Sequence, residues 1–127
     1  MNATLHHIAL CYTTHEDAVI FFSKVFGFKY VRGFQLSSSL SKKIFNISRV
    51  VDVDVFENEN MRFELFYAEM MRGDVCSHVC IEVEDKKDLV KKCQQYNILS
   101  YVVKKNDKEL LFVRDHNNNL YEIKTRC

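Results

Sequence analysis

Residues 4–12 alternate Leu5, His7, Ala9 and Cys11 against His6, Ile8, Leu10 and Tyr12. That period of two predicts a strand buried on both faces. The period then lengthens. Thr13 and Thr14 are placed to cap a helix, with Glu16 and Asp17 in its first turn near the positive end of the dipole. Ala18, Phe22 and Val25, flanked by Val19 and Phe26, form its apolar stripe, and Gly27 stops it. Residues 28–35 return as a strand. Within residues 36–48, Ser38 or Ser39 caps a short helix running through Ile44 and Phe45. Residues 50–57 set Val51, Val53 and Val55 against Asp52, Asp54 and Phe56, a half-buried strand, and residues 61–67 form the strand that comes back after an Asn-rich turn. Residues 68–74 join the halves without a Gly/Ser-rich linker. The order then repeats. Residues 76–84 are a strand, and Asp85 caps a helix striped by Leu89, Cys93 and Tyr96. Strands at 98–104, 108–114 and 120–125 follow, separated by turns at Asn106-Asp107 and His116-Asn117-Asn118.

The second half is a copy of the first. Shifting by 71 positions lays His7-Ile8-Ala9-Leu10 on His78-Val79-Cys80-Ile81, Ala18 on Leu89 and Tyr30 on Tyr101, with no gap over residues 7–31. Phe63-Glu64-Leu65 falls on Tyr121-Glu122-Ile123 at a shift of 58, and 71 − 58 = 13 extra residues belong to the first copy, at 36–48. Each module is strand, helix, then three strands. The expected fold is α+β, with eight strands and two main helices over residues 1–127, divided into modules at about 1–73 and 74–127.

Strand parity then fixes where four side chains point. Ile8 and Leu10 suit the face under a helix, which turns His7 to the other face; Val79, Ile81 and Val83 do the same for His78. Phe63 and Leu65 leave Glu64 opposite them, and Tyr121 and Ile123 leave Glu122 opposite. If the modules sit about a pseudo-twofold axis, His7, Glu64, His78 and Glu122 can converge. Two imidazoles and two carboxylates suit a divalent metal of the Zn, Ni, Fe or Mn kind.

Composition narrows the class. Apolar residues make up 47% of the chain and ten are Phe, enough for a packed core, while a net charge of +1 gives no bias toward nucleic acid or a membrane surface. No apolar run reaches the length of a membrane span, and the first residues lack a signal-peptide pattern. Five cysteines without zinc-finger or CxxC spacing are read as reduced thiols in a cytoplasmic protein.

Leu5-His6-His7-Ile8-Ala9-Leu10, Phe21-Phe22 through Gly27-Phe28, Ser77 to Val83 and Arg114-Asp115 with Asn119-Leu120-Tyr121-Glu122 together resemble the vicinal oxygen chelate superfamily. That group includes glyoxalase I, extradiol dioxygenases, and fosfomycin and bleomycin resistance proteins. The resemblance implies paired βαβββ modules in a cupped, mostly antiparallel eight-stranded sheet around a metal cavity. It implies His7, Glu64, His78 and Glu122 as metal ligands, a set most like glyoxalase I. The turn at Asp115-His116-Asn117-Asn118-Asn119 departs from the usual Asp-Pro-Asp-Gly-Asn, and no glutathione-binding signature is present.

The implied function is a metal-dependent lyase or isomerase acting on a small oxygen-rich substrate, with the metal stabilising an enediolate and Glu64 or Glu122 as general base. A metal-free small-molecule binding or resistance protein is a second reading. An Fe(II)-dependent dioxygenase using His7, His78 and Glu122 is a third, disfavoured by the extra carboxylate of Glu64. A homodimer is expected, since each module has a strand edge to cover. His6 is read as structural, Cys11 and Cys80 as small buried hydrophobes, and Arg62 as half of a salt bridge. Asp52 and Asp54 are expected to line the cavity or face solvent. The 36–48 insertion is either a lid over the cavity or edge packing.

Overall fold

The computed structural model describes residues 1–69 and 76–126, so part of the 68–74 connection lies outside the described residues. Eight strands are present: β1 (Ile8–Tyr12), β2 (Lys29–Leu36), β3 (Val51–Glu57), β4 (Arg62–Tyr67), β5 (Val79–Val83), β6 (Leu99–Lys105), β7 (Lys108–Arg114) and β8 (Leu120–Thr125). They form two four-stranded sheets, one from each module, ordered β1-β4-β3-β2 and β5-β8-β7-β6. In each, the first strand pairs parallel with the last and the remaining pairs are antiparallel.

The two copies share a register. Ile8 sits opposite Phe63, and Val79 sits opposite Tyr121. The match is not gapless, however. Thr14 and Asp85 cap their helices with the same side-chain acceptance, 71 positions apart. The left-handed residues ending those helices, Gly27 (φ 74°) and Asn97 (φ 58°), are 97 − 27 = 70 apart. The first helix therefore holds one extra residue. It is α1 (His15–Ala18) continued by a π-helical segment, Val19–Val25, where the second is the ordinary α3 (Lys86–Gln95). A wider i→i+5 turn is how a helix absorbs one inserted residue without losing its caps. The same offset of 70 sets Tyr30, opposite Phe56, in the place of Ser100, opposite Val113, and a second insertion, the bulge between Tyr30 and Arg32 in β2, lowers it to 101 − 32 = 69. Tyr30 thus corresponds to Ser100, not to Tyr101.

One apolar core joins both modules. Phe21, Phe22, Val25, Phe28, Phe63 and Leu65 pack with Ile81, Leu89, Cys93, Leu111, Val113, Tyr121 and Ile123. Phe22 lies against Phe56 and Phe63, and Phe21 lies against Tyr121 at 4.7 Å between ring centres. At the seam Tyr12 of β1 donates to Asp115 Oδ2 at 2.5 Å, and Tyr121 donates to the same oxygen at 2.8 Å. The backbone N–H groups of Asn117 and Asn119 donate to Oδ1, so this carboxylate closes its own turn while it holds the two tyrosines. Burial pushes the Tyr12 and Tyr121 phenols up, and the Asp115 carboxylate adds to the effect.

The insertion forms α2 (Ser38–Phe45), capped by Ser37 and ended by a left-handed Asn46. Phe45 of this helix packs on Phe66, at 5.3 Å between ring centres. β3 is buried on both faces, against the expectation of a half-buried strand. Val51, Val53 and Val55 are each 0–1% exposed on one face, and Phe56 and Asp54 are buried on the other. No helix among the described residues is long and apolar enough to cross a membrane.

Candidate functional site

His7 and His78 stand one residue ahead of β1 and β5. Because Ile8, Leu10, Val79, Val83 and Ile81 pack into the core, the histidines are held on the opposite, open face of each sheet. Glu64 sits beside Ala9 in the ladder and Glu122 beside Cys80, the same step in each copy. The result is two matched contacts: His7 Nε2 to Glu64 Oε1 at 3.5 Å, and His78 Nε2 to Glu122 Oε1 at 3.6 Å. The carboxylates are the more sheltered partners, 14% and 18% exposed against 35% and 41% for the imidazoles.

The four residues do not come together within one chain. Among the described residues no group of three or more His, Cys, Asp or Glu is gathered as a metal site. The topology explains this: both pairs lie on faces turned away from the one core the modules share. Each pair is half of the expected donor set.

The surroundings of the halves differ. In the first, Val55 flanks Glu64 in the ladder and is fully buried, so one wall is apolar. In the second, Phe112 flanks Glu122 and stacks on Tyr101 at 24° between planes. Lys124 Nζ also lies 3.5 Å from Glu122 Oε2.

The remaining expectations resolve individually. Arg62 is bound to Glu57 through Nε and Nη2, at 2.9 and 2.6 Å, as a salt bridge. His6 is exposed, with Nδ1 2.8 Å from His7 Nδ1. Cys80 is exposed and Cys11 half-buried, so neither is a buried hydrophobe; they line the open faces with the histidines. Desolvation raises both thiols above their usual range. Asp52 is exposed and takes a hydrogen bond from Gln35. Asp54 departs from expectation: it is buried, on the helix side, in contact with His15, Tyr30 and Tyr67. Nothing in the alternation of β3 tells which of its faces meets the helix, and the repeat alone, aligned without its two insertions, hides the mismatch.

No protein-family model matches the sequence, and no curated protein matches it. Solved structures do match in shape. The fosfomycin resistance protein FosX of Listeria monocytogenes, in complex with Mn(II) and sulfate, superposes with a TM-score of 0.76 at 11% identity, covering 100% of this chain and 93% of that one. A glyoxalase family protein of Bacillus cereus gives 0.74 at 15% identity, covering 98% and 95%. FosX of Mesorhizobium loti gives 0.72 at 12%, covering 100% and 94%. With two βαβββ modules in matching register and this likeness along nearly the whole chain, the chain has the fold of these fosfomycin resistance and glyoxalase family proteins.

Proposed function

We propose that the chain is a divalent-metal lyase or isomerase for a small, oxygen-rich substrate, and that two copies form a homodimer to complete its site. The observation that carries this is the duplicated His–Glu pair, set at the same ladder step in each module and facing away from the shared core. One pair offers two donors, fewer than the three protein ligands a catalytic metal usually takes. His7 and Glu64 of one copy meeting His78 and Glu122 of a second give two imidazoles and two carboxylates, a set that fits Zn, Ni, Fe or Mn. The Mn(II) held by a protein of the same fold supports this choice.

When bound, the metal would act as a Lewis acid on adjacent substrate oxygens. The rest falls to the chain. Val55 and the Tyr101–Phe112 stack keep water from one side of each carboxylate. Glu122 is tied to Lys124 as well as His78, which leaves Glu64 the freer carboxylate to exchange a proton with the substrate.

Mixing two inactive variants tests the reading. His7→Ala and His78→Ala homodimers each lack a histidine at both sites. A mixed dimer regains one intact site, from His7 and Glu64 of one chain with His78 and Glu122 of the other. Metal content near one ion per mixed dimer, by elemental analysis, is the expected result. A mixture that binds no more metal than its components rules out the shared site. Wild-type protein without stoichiometric metal, yet binding small molecules, would instead identify a metal-free resistance or sequestering protein.

A further inference from the structure

His6 stands next to a proposed metal ligand, yet it belongs neither to the donor set nor to the core. It is exposed, and its Nδ1 lies 2.8 Å from His7 Nδ1, with the two rings edge to face at 5.0 Å between centres. A contact that short between ring nitrogens of neutral imidazoles holds one proton: one nitrogen donates and the other accepts. In the second module the corresponding nitrogen, His78 Nδ1, lies 2.8 Å from the carbonyl oxygen of Cys76. The two ligand rings thus share an arrangement. Each has Nδ1 taken up by a residue just before it in the chain, and Nε2 beside a glutamate.

The second module decides which nitrogen carries the proton. A carbonyl oxygen only accepts, so His78 keeps its proton on Nδ1 and leaves Nε2 as a lone pair. The distances on the other side agree. His78 Nε2 is 3.6 Å from Glu122 Oε1 and His7 Nε2 is 3.5 Å from Glu64 Oε1, both beyond the range of about 2.7–3.2 Å for an N–H···O bond. Neither Nε2 is donating to its carboxylate. The His7 proton therefore sits on Nδ1 as well, and His6 Nδ1 is its acceptor. Each half then sets a nitrogen lone pair beside a carboxylate, the form in which imidazole binds a metal.

We infer that His6 is a positioning residue for the proposed metal site: it accepts the Nδ1–H of His7, fixes the tautomer and orientation of that ring, and so holds Nε2 beside Glu64 as a ligand. The purpose of the contact rests on the shared-site reading; the contact itself does not. Backbone performs this task for His78 and a side chain performs it for His7, so a substitution outside the donor set can disarm the first half alone. Outer partners of this kind typically carry about 10–100-fold in metal affinity.

Substitutions at this exposed position are expected to leave the fold intact. Asn places its side-chain oxygen as many bonds from the backbone as the Nδ1 of His6, while Leu fills similar space without an acceptor. Nitrogen–proton NMR correlations of the imidazoles in the metal-free full chain, at about pH 8 where an ordinary imidazole is neutral, report each tautomer. His7 and His78 are both expected to carry the proton on Nδ1, the minority form of a free imidazole. His6→Leu is expected to move His7 toward the Nε2–H form and leave His78 unchanged, and His6→Asn to restore His7. Titration with Zn(II) alone is expected to show affinity weaker by about tenfold or more in His6→Leu and near wild type in His6→Asn. A His7 proton found on Nε2 in the wild type, or left on Nδ1 by His6→Leu, overturns the inference. Zn(II) affinity unchanged in His6→Leu overturns it too. Wild-type protein that takes up no Zn(II) overturns the shared-site reading and the purpose with it, while the tautomers still decide whether His6 holds His7.

Discussion

Gly33 is a residue whose meaning lies in its neighbours and not in its own backbone. A methyl group there meets the Tyr30 hydroxyl and the Asp54 carboxylate, both already committed to each other. Gly33→Ala is therefore expected to destabilise the fold by about 1–3 kcal/mol, the range for overpacking a filled site, read by denaturant unfolding. The cluster was not legible in the sequence, because an aspartate between valines reads as an outward residue unless the strand's partner is known. The open-face residues were legible. His7, Glu64, His78 and Glu122 each follow or precede unmistakable core residues, so parity alone assigns their face. What parity cannot supply is distance, and the separation of the two pairs became visible only with the packing. Arg62 shows the same limit from the other side: its partner, Glu57, sits directly across the β3–β4 ladder.

At the scale of elements, strands and helices came through because alternation and caps are local signals. Lys108–Arg114 and Leu120–Thr125 fall where the pattern put them, and α2 begins one residue from the expected cap, at Ser37. The two single-residue insertions did not come through, since a π-helical turn and a bulge leave the apolar stripe nearly intact. The insertion α2 exposes three large apolar side chains: Leu40, Ile44 and Phe45 are 48%, 59% and 47% exposed. Neighbouring Val50 is similarly exposed. Leu40→Ser with Ile44→Ser removes that surface while sparing the Phe45–Phe66 contact. The melting temperature of the dilute protein is expected to stay within a few degrees of wild type. Self-association, followed by sedimentation, is expected to weaken if α2 meets a second copy. A large drop in melting temperature at every concentration would make α2 a packing element instead.

For the whole molecule, the seam between modules rests on Asp115. Tyr12→Phe removes one of the donors to a buried carboxylate oxygen that Tyr121 still serves, and the loss of this hydrogen bond to a charged group is expected to cost about 1–3 kcal/mol in unfolding free energy. Cys93 adds an alkaline signature. Burial raises its thiol from 9.0 to about 11. The folded state thus keeps a proton that the unfolded state gives up above pH 9. The stability this gives is whole below pH 9 and is lost as pH rises toward 11. Cys93→Ala is expected to flatten that part of the profile, read as melting temperature against pH. A steeper decline than wild type would refute the burial effect. The two unlike His–Glu halves have a consequence of their own. A chain bearing two different half-sites has a head and a tail, and only a closed pair satisfies both at once. If two copies share the site as proposed, catalysis depends on encounter. Thinning the protein would empty its centres of metal before any chain unfolded, and a single crippled chain would spoil one centre of every healthy partner it met.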